Sequence, residues 1–484
     1  MQRSSLNQKR SADRQPLSAA QAELWKRVLF TAVPLLLLLI FFARWLLTTR
    51  PPQPLGMAAA ALVTFLFALL GMRFIPQWMR AWSNVPWEPI RPMEGKRTAR
   101  QRNMHPIMRL ILALVLFRLL VLTIVYLMRL AGQGYTGGVL DNLEVWNMIG
   151  SDSRHYLNIA ENWYTSVGDD RLLIVFMPLY PILVRCFHFI FNDYLASGLF
   201  VSGVCCIISG VMLYEVALLD YDIPTARRSL KFLCILPAAF LFSAPLSEAL
   251  FLTLTLCGIY MMRKRHYAIA SIFGFFAAFT RAPGVLLFVP LCIELVGDII
   301  RGRKESGGQR GWKRKQLFNA LSLLLVPCGL LLYLYVNYAV TGNALMFLTY
   351  QSANWHQNLG WFFSTANIQM ENLIENLSAG GNIRLVLGLW LPNLVYIFAS
   401  LGLVTAAQQK IRASYVAYFI AYFVVCVGAT WLLSGPRYLS ACFPLALAMG
   451  VLTEKREANW VATILCVGLM LAYMAAYVYQ WYVY

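Results

Sequence analysis

Residues 151–185 read SDSRHYLNIAENWYTSVGDDRLLIVFMPLYPILVR. The stretch combines a carboxylate (Asp152), an imidazole (His155), guanidinium groups and several aromatic rings with an acidic–basic tip, GDDR, at 168–171. Tyr156, Ile159, Ala160 and Trp163 fall at helical spacing, which predicts a short amphipathic helix whose Tyr and Trp suit a membrane interface. Beyond the tip, segment 173–191 is apolar but interrupted by Pro178 and Pro181, and is expected to be re-entrant or interfacial. If it crossed fully, the span count would change by one. Almost everything around this stretch is apolar helix.

Composition explains why. Apolar residues make up 59% of the 484 and charged residues 13%, against about 25% charged in a soluble domain. With a mean hydropathy of +0.59, the chain reads as an all-α polytopic membrane protein. Its formal charge of +19 would suggest nucleic acid in a soluble protein, but in a membrane protein the placement of the charge matters more, and no nucleic-acid partner is expected. The ten cysteines lie mostly in hydrophobic runs, including adjacent Cys205 and Cys206. None has CxxC or Cys/His metal spacing, so they read as packing residues. No cofactor is expected; a role for a divalent metal stays open.

Basic residues orient the spans. Residues 1–25 read as a disordered cytoplasmic tail, 26–75 as a transmembrane hairpin (26–48 and 55–75), and 76–105 as a basic cytoplasmic linker. The span at 106–131 then leads outward into 132–172, where Asp141, Glu144, Asp152, Glu161, Asp169 and Asp170 outnumber Arg154 and Arg171. Basic patches at 263–265 and 301–315 mark further inside turns, the second with Gly307 and Gly308, and Arg227 and Arg228 favour one at 220–228. Parity places further spans near 194–219, 229–245, 247–262, 266–281, 282–300, 316–340, 383–406, 412–433, 437–452 and 458–482, about thirteen in all, within a membrane domain covering 106–484. The polar turns SAPLSE (243–248), TRAPG (280–284), the loop 341–382 and LSGPRY (433–438) then share the outer face with the central stretch.

Ionisable groups near a bilayer are costly, about 2.5–3.5 kcal/mol at its centre on insertion scales, so their collection at one face marks a site. Asp152 at the water–lipid boundary is suited to take a proton from a sugar hydroxyl as that hydroxyl attacks an anomeric carbon. Asp is also a favoured helix N-cap, and the two readings are compatible. Arg185, Arg281 and Arg437 are candidates for a lipid phosphate, which guanidinium binds with paired charged donors, or else for snorkelling and structural pairing. Glu248 is placed to orient a substrate hydroxyl or to bond a neighbouring arginine. His155 reads equally as a hydrogen-bonded interface residue or an acid–base group. Trp355 and His356, in NWHQN (354–358), are candidates to stack on a sugar ring, or belong to an interfacial aromatic belt.

Six short motifs, SDSRHYLNIAENWY, MPLYPILVR, FSAPLSEALF, FTRAPG, TGNALMFLTYQSANW and GPRYLSACFPL, occur in an order and spacing similar to that of the PIG-V family of mannosyltransferases and its prokaryotic members. That family belongs to the GT-C class of integral-membrane glycosyltransferases. The resemblance covers roughly 106–452 and leaves the N-terminal hairpin outside. It implies a GT-C-like helical bundle with interfacial helices in its first outer loop. It further implies a sugar donor carried on polyprenyl or dolichyl phosphate, and inversion at the transferred sugar. Asp152 falls at the family's acid, His155 and Tyr156 follow in its pattern, and Glu248, Arg281 and Arg437 fall in its motifs. Ser151 departs from it, since members often carry Trp before the Asp.

The expected activity is therefore transfer of mannose or a related hexose from a lipid-phosphate donor to a hydroxyl of a lipid- or glycan-linked acceptor. The outward polar cluster and the lack of a Gly-rich phosphate loop both argue against a nucleotide-sugar donor. Two alternatives remain at this stage. One is a GT-C transferase for another lipid-linked sugar in wall or lipid modification; the other is a non-enzymatic transporter of lipid-linked sugars, against which stands the lack of a clear inverted repeat. A small membrane subunit stays open as a partner. The expected location is the plasma membrane, or the endoplasmic reticulum in a eukaryote. Asn376-Leu377-Ser378 on an outer loop is a weak glycosylation pattern bearing on the latter.

Overall fold

The computed structural model describes residues 19–49, 52–82, 104–133, 138, 142–147, 151–305, 314–378, 380–430 and 432–483. Much of the expected tail and of the linker, Asp141, and the Gly307–Gly308 loop lie outside them. The architecture is helical throughout, with one isolated bridge, Leu359 to Ala429, among the described residues. Among the described residues, eight helices are long and apolar enough to cross a membrane: Val28–Thr48, Pro54–Met79, Ile107–Gly132, Tyr194–Leu218, Ala282–Gly302, Arg314–Thr341, Ile383–Lys410 and Arg456–Val478. The chain is an integral, multi-pass membrane protein. Three shorter apolar helices, Tyr267–Thr280, Ala413–Val427 and Phe443–Leu452, pack among them.

Several expected boundaries move. The first helix begins at Ala19, inside the expected tail. Instead of an inside turn at 220–228 followed by a span at 229–245, a helix runs over Ile223–Ile235. Asp222 caps it through the Thr225 amide, Pro224 sits in its first turn, and a 3-10 turn, Ala239–Ser243, follows. Arg227 and Arg228 are therefore helical. The expected span 437–452 is likewise two pieces, Gly435–Ser440 and Phe443–Leu452. Segment 173–191 is not one straight helix: Asp169–Val175 and Leu179–Phe191 meet at 110°, with Pro178 at the break. Tyr333 and Tyr164 donate hydrogen bonds to the Ile174 and Phe176 carbonyls there (2.7 and 2.6 Å), satisfying groups that the break leaves without helical partners.

Charged side chains gather at two opposite ends of the bundle. One group joins Asp220 to Arg263, and Glu294 to Arg412 through two parallel bonds (2.5 and 2.9 Å), with Ser414 also donating to Glu294 (2.6 Å). Helix Glu248–Arg263 runs from this group, at its last residue, to the group at the opposite end, at its first. Helix Pro54–Trp82 shows the same polarity: the Gln53 amide bonds Glu371 at one end, and Gln77 bonds the Gln408 and Ile411 carbonyls at the other. Close helix contact needs small residues between them. A Cβ on Gly329 would stand 2.0 Å from the Phe275 carbonyl oxygen, so helix Leu325–Thr341 can lie against Tyr267–Thr280 only with glycine there.

Candidate active site

Four polar turns deliver the site. Helix Asp152–Asn162 is capped by Ser151, whose Oγ accepts from the Ser153 amide (3.3 Å). The cap expected at Asp152 therefore sits one residue earlier. Asp152 is the first helical residue, its carboxylate at the positive end of the helix dipole and free to reach sideways. Glu248 occupies the same position in helix Glu248–Arg263. Arg281 ends helix Tyr267–Thr280 in extended conformation, where Pro283 forbids continuation and Gly284 crosses so close that a Cβ would stand 2.2 Å from the Ala277 backbone. Arg437 lies in the short helix Gly435–Ser440. That turn is pinned from beneath: Asn393 accepts from the Gly435 amide (3.0 Å) and donates to the Leu432 carbonyl (2.6 Å) and to Gln369 (2.9 Å).

The four side chains form one continuous charged chain. Arg437 Nη2 donates to Asp152 Oδ2, and Arg437 Nε lies 2.9 Å from Glu248 Oε1, out of line for a hydrogen bond. Arg281 Nη1 donates to the same Oε1 and to Ser247 Oγ (3.2 Å), which pairs with the Tyr156 hydroxyl (2.8 Å). Both guanidinium groups lie over the ring of Tyr438, at 4.6 and 5.2 Å from its centroid. Glu248 Oε2 is buried and has no hydrogen-bond partner among the described residues. Side-chain exposure is 12% at Arg281, 1% at Glu248, 3% at Arg437 and 21% at Asp152, so Asp152 is the more accessible of the chain's two ends.

Burial pushes the Asp152 carboxyl up, but the bonded Arg437, with His155 and Arg281 beyond, outweighs it and holds the group below the usual carboxylate range. It is ionised at neutral pH. His155 is lowered by burial more than Asp152 raises it, and Arg154 lowers it further, so its imidazole is neutral. Burial raises the Tyr156 phenol.

Asp152, Tyr156, Glu248, Arg281 and Arg437 are thus brought together. Beside them His155 packs on Phe176 (5.1 Å between centroids), which meets the Trp355 ring edge-on at 6.3 Å. Exposed His356 ends helix Met346–Trp355 in left-handed conformation, its carbonyl accepting from Thr430. Arg185 stands apart. Its Nε and Nη2 donate to the carbonyls of Ala160 and Glu161 (2.6 and 2.7 Å), the last turn of helix Asp152–Asn162, and it lies over Trp163. It ties helix Leu179–Phe191 to helix Asp152–Asn162 and is not joined to the other arginines. Sequence reasoning missed Ser247, Tyr438, Asn393 and Gln369; the first two adjoin Glu248 and Arg437 in the quoted motifs, whereas nothing in the sequence signals the amide pair.

No protein-family model matches the chain, and no curated protein does. Among solved structures it is similar to ArnT from Cupriavidus metallidurans, bound to undecaprenyl phosphate, at 13% identity and a TM-score of 0.44, over 72% of this chain and 62% of that one. It is also similar to the Archaeoglobus fulgidus oligosaccharyltransferase in its apo form (12%, TM-score 0.33, 76% of this chain and 56% of that). AglB from the same organism, with an inhibitory peptide and a dolichol-phosphate, is comparable (11%, 0.35, 76% and 56%). The chain spans less than two thirds of the length of each. At such low scores no ligand or activity passes from these proteins to this one.

Proposed function

We propose that the chain is a GT-C-type membrane glycosyltransferase of the PIG-V kind, moving mannose or a related hexose from a polyprenyl-phosphate donor to an acceptor hydroxyl, with inversion. The observation that carries the reading is the convergence of Asp152 with Arg437, Glu248 and Arg281 from four separate polar turns at one end of the bundle. The ordered motifs in the sequence support it as well. In this reading Asp152 is the general base on the acceptor hydroxyl, Arg281 and Arg437 receive the donor phosphate, and Glu248 holds the two guanidinium groups and meets a sugar hydroxyl with Oε2. His155, Trp355 and His356 line the approach. The outer face is that of the plasma membrane.

The test is transfer from polyprenyl-phosphate-mannose to endogenous acceptors in membranes carrying wild type or Asp152→Asn. Asn keeps the size of Asp and loses the base, so transfer should fall about 10²–10⁴-fold. Full transfer by the variant would remove Asp152 from that role. Failure of wild type with the mannose donor but success with another lipid-linked sugar would change the donor and keep the reaction class.

A further inference from the structure

Arg437 is bonded to the group proposed as base. While its guanidinium rests on Asp152, that carboxylate's affinity for protons is suppressed, so the arrangement as it stands is poorly suited to deprotonate an alcohol. The cluster is also electrically closed: two carboxylates face two guanidinium groups. A donor phosphodiester adds one negative charge, and some anion must then give up its cation. Glu248 is held by both arginines and fully buried, whereas Asp152 is held by one and is the most exposed member. Asp152 is the anion that yields.

We propose, building on the reading above, that Arg437 is an exchange residue: the donor phosphate takes its Nη2 from Asp152, so donor binding itself switches on the base and must precede productive acceptor binding. The step balances. The acceptor oxygen forms its bond to the anomeric carbon and gives its proton to Asp152. The bond from that carbon to the phosphate oxygen breaks with its electron pair, and the lipid monophosphate gains the charge that Asp152 loses. When the lipid phosphate departs, Arg437 returns to Asp152 and drives the proton off to water, which resets the site.

The charged and titratable neighbours of Asp152 are Arg437 from helix Gly435–Ser440, Arg281 at the end of helix Tyr267–Thr280, and His155 and Tyr156 on its own helix, with Glu248 behind Arg437. A proton-linked binding measurement therefore needs a probe that does not itself titrate. A short-chain prenyl methyl phosphodiester keeps one charge throughout. Its binding to the purified full chain in lipid nanodiscs would be followed calorimetrically near pH 5, in two buffers of different ionisation enthalpy. Wild type should bind with uptake of a fraction of a proton. Asp152→Asn should bind without uptake and about fivefold more tightly, the worth of removing a partly exposed ionic competitor; Asp152→Ser replaces it if the first does not fold. Arg437→Gln should lose the uptake. Equal or weaker binding by both Asp152 variants, or uptake that survives Arg437→Gln, overturns the exchange and leaves the proposed function standing. No binding by wild type overturns both.

Discussion

Glu248 Oε1 serves two guanidinium groups inside the protein, an arrangement that removal of either sign would unbalance. Glu248→Gln leaves both arginines buried without a full counter-charge. Breaking a buried pair in this way costs about 3–5 kcal/mol, so the variant should unfold at markedly lower temperature in detergent. A midpoint equal to wild type would show that the two arginines do not depend on this carboxylate. Asp152 has its own signature in pH. Its pKa in the fold lies below the unfolded value, so its ion pair with Arg437 stabilises the protein above about pH 4, and that contribution is lost as pH falls through the lowered value. Asp152→Asn should flatten stability against pH in this acid range, and an unchanged profile would refute the pairing. These residues were legible in the sequence because an ionisable group in an apolar chain is conspicuous. Their partners were not, because spacing carries no information about which way a long guanidinium side chain reaches.

Among elements, helix Asp152–Asn162 is held by its Ser151 cap at one end and by Arg185 at the other. Arg185→Ala would return the Ala160 and Glu161 carbonyls to solvent. Hydrogen–deuterium exchange around 156–164 should then rise with donor KM little changed, while Arg281→Ala should raise donor KM several-fold, as the loss of one charged hydrogen bond predicts. If both variants raise donor KM alike, Arg185 belongs with the phosphate ligands after all. Helix boundaries were readable where a cap and a proline stood together. Asp222 and Pro224 are such a signal, but the expected turn rested on the charge of Arg227 and Arg228 alone, which the structure accommodates on a helix: Arg228 donates to the Gly450 carbonyl (2.9 Å). The 110° bend at Pro178 likewise follows from a residue that can neither donate nor continue the preceding turn.

For the molecule as a whole, the separation of charge into two ends makes orientation testable. Cys186, on helix Leu179–Phe191, which the proposed orientation puts outside, is the exposed cysteine of the ten. A membrane-impermeant maleimide applied to intact cells should label wild type and not Cys186→Ser, whereas labelling that requires permeabilised cells would invert the assignment. The amino-acid sequence by itself determined the membrane class, eight of the spans and the grouping of the polar turns at one end of the bundle, because these depend on local hydropathy and on where lysine and arginine stand relative to each span. Tertiary structure alone decided which charges pair. Asp152 and Arg437 are 285 residues apart, and Arg185 is diverted to helix carbonyls though it lies closer in sequence to Asp152. The reason is physical: a side chain's partner is set by the packing of whole helices, held by contacts such as Gly329 against Phe275, and no stretch of chain contains that geometry on its own.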